Sequence, residues 1–298
     1  MRLTLVAACL LTILTVPLAG TPASPHNAFP TQKSSAGSMI DLGSRKLYIN
    51  CSGEAVIGSP TVVLEAGLNA SSETWSNIQP EIAKFTRVCS YDRAGMRKSD
   101  PSPQQPTTSS QIARELHLLL SKSGVTGRLV LVGHSLGGLI VRMYASLYPK
   151  DVAGIVLVDS VHEEETARWL AMLPAETRKE MEARGGKRLL GVTQIDLEKS
   201  NAEMQAANWR TRVPLVVLSR GKTSYNPDDY PPQLRSLAPK GEELRIKLQE
   251  DLARRSSRSK HIFAEKSGHL IHRDQPELVI DSIRQVVEAA RLKNPKSS

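Results

Sequence analysis

Residues 128–149 read RLVLVGHSLGGLIVRMYASLYP, and the turn at their centre decides how the rest of the chain is read. Arg128 to Gly133 is a short apolar run of the buried-strand type, and Leu139 to Tyr148 has the character of a helix. A plain strand-to-helix turn needs one glycine at most. This one gathers Gly133, Gly137 and Gly138 around Ser135. The pattern Gly133-His134-Ser135-Leu136-Gly137 fits a strained turn that lifts one hydroxyl above the strand tips, with glycine where neighbouring chain passes too close for side chains. The next amide, that of Leu136, opens a helix, where N–H groups are unpaired and the dipole favours an anion.

Outward from that turn the pattern alternates. RKLYIN, PTVVLEAG and TRVCSYD upstream, and AGIVLVDS, VPLVVLS and KHIFAE downstream, have the composition of strands. Between them WSNIQPEIAKF predicts a short helix, and TSSQIARELHLLLSKSG predicts a longer one opened by Thr108 and Gln111 and closed by Gly124. A last helix is expected after DQPE, with Asp274 as its cap and Pro276 in its first turn. Strand and helix in regular succession mean an α/β fold with a parallel sheet covered on both faces. From about 161 to 212 the rhythm breaks into charged, helix-favouring sequence with no convincing strand, read as an inserted helical cap.

At 298 residues the chain can bury a sizeable core without metal or disulfide support. Residues 1–23 carry one positive charge, an apolar run and small residues near Gly20 and Ala23, the pattern of a secretory signal. An uncleaved anchor is disfavoured by the interruption at Pro17, and a lipid attachment at Cys9 by the short apolar run before it. Residues 24–39 read as a flexible leader and 40–298 as the folded domain, so the protein is expected to be secreted or periplasmic with no stable membrane insertion after cleavage. Removing the signal leaves Cys51 and Cys89, an even pair in an oxidising compartment; a disulfide is the natural proposal, with two buried thiols as the alternative. Neither cysteine has a neighbour at metal-ligand spacing, and no metal or cofactor is expected. The net charge of +9 is scattered among carboxylates and aromatic residues are only 4%, which argues against a nucleic-acid partner. Oligomeric state is not legible.

A serine hydroxyl needs a base to act as a nucleophile at neutral pH. His269, in the loop between KHIFAE and the last helix, is placed for that; His272 is its rival, and His134 inside the turn is expected to point away from the hydroxyl. A carboxylate must in turn orient the base. Asp159 stands at a strand's carboxyl end, where sites on parallel sheets form, and Asp228 or Asp229 follows the next strand at a longer distance. Negative charge on a reacting oxygen needs two donors, for which the backbone N–H groups of Leu68, in the small-residue turn after VVLEAG, and Leu136 are the candidates.

With these residues in view the chain resembles the α/β-hydrolase-fold proteins from about Ile40 to Lys293, and LEAGLNASSETW, VCSYDRAGMRKSD and VLVDSVHEE resemble an exported or membrane-associated bacterial branch. The resemblance implies an eight-stranded, mostly parallel sheet with its second strand antiparallel, an order that sets the strand ending at Cys51 beside the one carrying Cys89 and favours the disulfide. It also marks two departures. Arg97 stands where the family usually has glycine, and Thr223 falls where many relatives carry the acid. A lipase-like subset places the acid one strand earlier, at Asp159 here; Asp92 and Arg93 resemble the family's structural pair. The implied activity is that of a serine hydrolase acting on a small-molecule carboxylic ester through Ser135, His269 and Asp159. Epoxide hydrolases and haloalkane dehalogenases resemble the fold but need a carboxylate in place of Ser135. An aminopeptidase or amidase would keep the same residues, with the run His162–Glu165 as an amine-binding site unless it is a solvated helix start; a binding protein would be expected to have lost one of them. Trp169, Met172 and Leu173 are candidates for lining the pocket, or for ordinary cap packing.

Overall fold

The computed structural model describes residues 37–184, 189–190, 195–222 and 232–291. Eight strands form one sheet: β1 (Ser38–Asp41), β2 (Lys46–Ser52), β3 (Thr61–Glu65), β4 (Val88–Tyr91), β5 (Leu129–His134), β6 (Val152–Val158), β7 (Leu215–Arg220) and β8 (Ser259–Ala264). Their spatial order is β1-β2-β4-β3-β5-β6-β7-β8. β2 runs antiparallel to both its neighbours, and every other pairing is parallel. This is the eight-stranded, mostly parallel sheet expected of the α/β-hydrolase fold.

The central strands β3, β5 and β6 are buried along their whole length and mostly apolar, because both their faces are covered. Alternate residues feed opposite layers. Val63 and Leu131 face a core with Leu116 and Leu119 of α2 (Ser109–Lys122) and Leu139 and Ile140 of α3 (Leu136–Leu147). Val62, Leu64, Val130 and Val132 face the other layer, where α1 (Gln79–Ala83) and α9 (Pro276–Arg291) bring Ile82, Val279, Ile283 and Val287. The start of α2 is capped as its sequence predicts: Gln111 N donates to the Thr108 hydroxyl at 3.5 Å, and Thr108 N donates to Gln111 Oε1 at 2.8 Å. Gly124, just beyond the helix, takes a φ of +67°.

Two sequence expectations shift at their edges. The leader was expected to run to residue 39, but Ser38–Asp41 is already strand, hydrogen-bonded to β2. Among the described residues between β6 and β7 stand three helices, α4 (Glu165–Met172), α5 (Ala175–Arg184) and α6 (Leu197–Ala207), together with a two-residue antiparallel ladder of Leu189–Leu190 on Ile195–Asp196 that the composition did not signal. α6 packs on α2 and α3, while α4 packs on α7 (Ala238–Ala253). α8 is a single turn, Ile271–Asp274. Cys51 and Cys89 lie opposite each other in the β2–β4 register and are joined by a disulfide. Among the described residues no helix is long and apolar enough to cross a membrane. The signal-like residues 1–23 lie outside the described residues.

Candidate active site

Ser135 stands between the end of β5 and the start of α3 with φ 54° and ψ −121°, a left-handed conformation that costs a non-glycine residue about 1–3 kcal/mol. The surroundings hold it there. Ser135 N donates to Val158 O at 3.0 Å, and Ser135 O accepts from Val161 N and Gly138 N, each at 3.0 Å. The three glycines are required by crowding: a Cβ at Gly133 would come within 2.5 Å of Gly137 O, one at Gly137 within 2.7 Å of Ala66 O, and one at Gly138 would strike the Ser160 side chain.

β3 brings the second wall. A Cβ on Gly67 would lie 2.9 Å from His134 Nδ1 and 3.4 Å from Ser135 Cβ, so the turn at Gly67 and Leu68 runs directly beside the serine. Arg93 fixes that turn from behind, donating to Ala66 O at 2.7 Å and Gly67 O at 2.5 Å. Because a trans peptide points its C=O and the following N–H in opposite directions, holding Gly67 O turns the Leu68 N–H away from Arg93. Arg93 is itself buried and paired with Glu65, 2.6 Å away, while Tyr91 donates its hydroxyl to the same carboxylate. Leu136 is the first residue of α3, where no intrahelical acceptor is available to its N–H.

His269 and Asp159 meet across the sheet's carboxyl edge. His269 Nδ1 lies 2.6 Å from Asp159 Oδ2, which leaves Nε2 as the ring nitrogen free to exchange a proton. Asp159 follows β6 with φ 42° and is buried, and its Oδ1 and Oδ2 also accept from Arg220 and Arg245. Burial alone would raise this carboxyl, but the hydrogen bond from His269 and the charges of Arg220 and Arg245 outweigh it and hold the group well below the usual carboxylate range. The loop carrying His269 is braced from both ends. Asp274 Oδ2 accepts from Ser267 Oγ at 3.1 Å and Gly268 N at 3.0 Å, and His134 Nε2 lies 2.9 Å from His269 O.

Asp274 was expected to cap the last helix; its carboxylate instead turns back to the loop carrying His269, and Pro276 begins α9 one residue after Gln275. Gly268 makes its bend without a left-handed φ, using its amide as a donor. The rival base, His272, is fully buried, bonded to Thr74 Oγ1 at 3.0 Å, with burial and the charges of His269 and Arg273 lowering it to about 4. Asp228 and Asp229, the alternative acids, and Thr223 lie outside the described residues. Arg97 adopts φ 42°, a left-handed backbone that favours glycine, and its side chain pairs with Glu73.

In the run at 162–165, Glu164 and Glu165 form the start of α4, with Glu164 part exposed and paired with Arg168, whereas the first two residues turn inward. His162 and Glu163 are buried; Glu163 is clamped by Arg142 at 2.5 Å and Arg255 at 2.7 Å, and His162 Nε2 lies 3.1 Å from Asp251 Oδ2. Trp169 and Leu173 are buried in a small cluster with Leu234, and Met172 packs on its edge. The contacts that Arg220, Arg245, His134 and Asp274 make around His269 and Asp159 were not assigned from the sequence. Arg220 had a visible cue, a charge at the carboxyl end of a central strand; Arg245, inside a charged helix, had none.

Comparisons with known proteins agree with this architecture. The family described as "alpha/beta hydrolase fold" matches residues 60–190. The chain is 30% identical over 231 residues to the uncharacterized protein YqjL of Bacillus subtilis (strain 168), covering 77% of this chain and 84% of the relative. It is 33% identical over 127 residues to the putative carbamate hydrolase RutD of Cronobacter sakazakii, 43% of this chain and 44% of that protein. Among solved structures, a thermophilic esterase from Thermogutta terrifontis superposes with a TM-score of 0.57 at 20% identity, covering 86% of this chain and 100% of the esterase. The chain belongs to the α/β-hydrolase superfamily.

Proposed function

We propose that the chain is an exported serine hydrolase that cleaves carboxylic esters of small molecules. The observation that carries the reading is the 2.6 Å contact of His269 Nδ1 with the buried, ionised Asp159, at the same sheet edge as the strained turn bearing Ser135. In this reading Nε2 of His269 removes the Ser135 proton as Oγ attacks the carbonyl carbon. The carbonyl π electrons move to oxygen, where the N–H groups of Leu68 and Leu136 receive the charge. Collapse of the tetrahedral intermediate breaks the ester C–O bond, and the leaving alkoxide takes the proton from His269. Water then repeats the sequence on the acyl-enzyme, releasing the acid and restoring the serine. Arg93 supports the step indirectly by orienting the Gly67–Leu68 peptide. The apolar run and cleavage-like residues of 1–23, with the Cys51–Cys89 disulfide, support export.

Amide or carbamate substrates would use the same groups, and the likeness to RutD favours testing a carbamate beside the esters. Of the run offered as an amine-binding site for an aminopeptidase, Glu163 is already neutralised by two arginines, which weighs against that reading. The test is initial-rate hydrolysis of p-nitrophenyl esters from acetate to palmitate, and of a p-nitrophenyl carbamate, by the mature protein and its Ser135→Ala variant. Ester turnover that vanishes in the variant supports the reading. Turnover of the carbamate alone, or of neither class, would contradict it.

A further inference from the structure

We propose that Arg220 and Arg245 are positioning residues that hold Asp159 between them and temper its charge, setting how strongly it stabilises protonated His269. The inference rests on the roles proposed for Asp159 and His269. Four donors reach the one carboxylate: His269 Nδ1 at 2.6 Å, Arg220 N at 3.2 Å, Arg220 Nη1 at 3.0 Å and Arg245 Nη1 at 3.1 Å. The two guanidiniums are themselves fixed. Arg245 Nη2 donates to Arg220 O at 3.1 Å, and Glu242, one helical turn before Arg245 on α7, accepts from Arg245 Nη2 at 2.6 Å and from Arg220 Nη2 at 3.2 Å.

Orienting the imidazole needs only a single carboxylate. Two cations on the same group add something else. They draw part of the negative charge away from His269, so an imidazolium formed there is stabilised less than it would be by a lone aspartate. Arg220 closes β7, so the strand next to β6 delivers a cation to the acid at Asp159. The other ionisable groups facing the pair are Glu165 on α4, whose carboxyl burial and the nearby charge of Asp159 push upward, and His134 and His272 beside His269, both kept neutral by burial.

The sign of the effect separates positioning from plain support. In kcat/KM against pH for p-nitrophenyl ester hydrolysis by the mature chain, Arg245→Gln should move the acid limb upward by about half to one pH unit, because Asp159 regains charge. Arg245→Lys keeps the cation and should leave the limb near wild type while lowering kcat. Glu242→Gln frees both arginines from a competing anion and should move the limb downward. Glu242 is part exposed, so this variant decides the matter by its sign even if Arg245→Gln does not fold, which a thermal melt of each variant records. An unmoved limb in folded Arg245→Gln, or a limb that Glu242→Gln moves upward or leaves in place, overturns the inference while the proposed function stands. A wild-type protein with no turnover and no fluorophosphonate adduct at Ser135 overturns the function itself, and the inference with it.

Discussion

In the proposed mechanism Asp159 is the residue that most needs testing, because the sequence singled out Ser135 and favoured His269 over His272 but left the acid open. Replacing it with asparagine removes the charge that stabilises the imidazolium and permits the wrong tautomer, so kcat should fall by about 10⁴-fold. Asp228→Asn should stay within a few-fold of wild type; the reverse ranking, read from ester turnover by purified variants of matched melting temperature, would move the acid to the loop after β7. Ser135 was legible because its strained turn demands glycine at three places, and crowding at Gly133, Gly137 and Gly138 is the physical form of that demand. Asp159 stayed ambiguous since an aspartate at a strand end is equally a common cap. What distinguishes it, four donors converging on one buried carboxylate, comes from elements 61 and more residues away. Asp274 misled for the same reason: its position favours a cap, and only the folded loop reveals a nearer pair of donors.

At the scale of elements the apolar patterns did most of the specifying. β3, β5 and β6 were legible because strands covered on both faces are buried at every position and mostly apolar, and α2 because both its ends carry their signals. β1 was missed because its four residues, SMID, are mostly exposed at the sheet edge and leave no apolar signature. The ladder at Leu189–Leu190 is too short to have one. α9 offers a direct test of the packing account. Ile283 is fully buried against the sheet, so Ile283→Ala should destabilise the protein by about 2–5 kcal/mol in urea unfolding. Ester turnover per folded molecule should be nearly unchanged, since α9 lies behind the sheet in the layer of Val130 and Val156. A large loss of kcat with unchanged stability would contradict that assignment.

For the molecule as a whole, a covalent cross-link and a buried histidine contribute to stability in different ways. The disulfide closes a loop across a sequence separation of 38, for which chain entropy gives about 4 kcal/mol. The Cys51→Ala/Cys89→Ala double variant should therefore unfold at distinctly lower urea concentration, and an unchanged midpoint would contradict the estimate. His272, buried and lowered to about 4 against about 6.5 in an unfolded chain, makes the unfolded state bind more protons between those values. Stability should thus decline as pH falls from about 6.5 toward 4, and His272→Asn should flatten the decline; His134 and His162, lowered by burial in the same direction, leave a remainder. A melting-temperature profile as steep in the variant as in the wild type would contradict this. The most direct test of the central claim is intact-mass and peptide mapping of the mature protein after a short fluorophosphonate exposure, with Asp159→Asn beside it. The account predicts one adduct, on Ser135, formed at least a hundredfold more slowly in Asp159→Asn, on the order expected when a triad loses its acid. No adduct on Ser135, or equal rates in the two proteins, would contradict it.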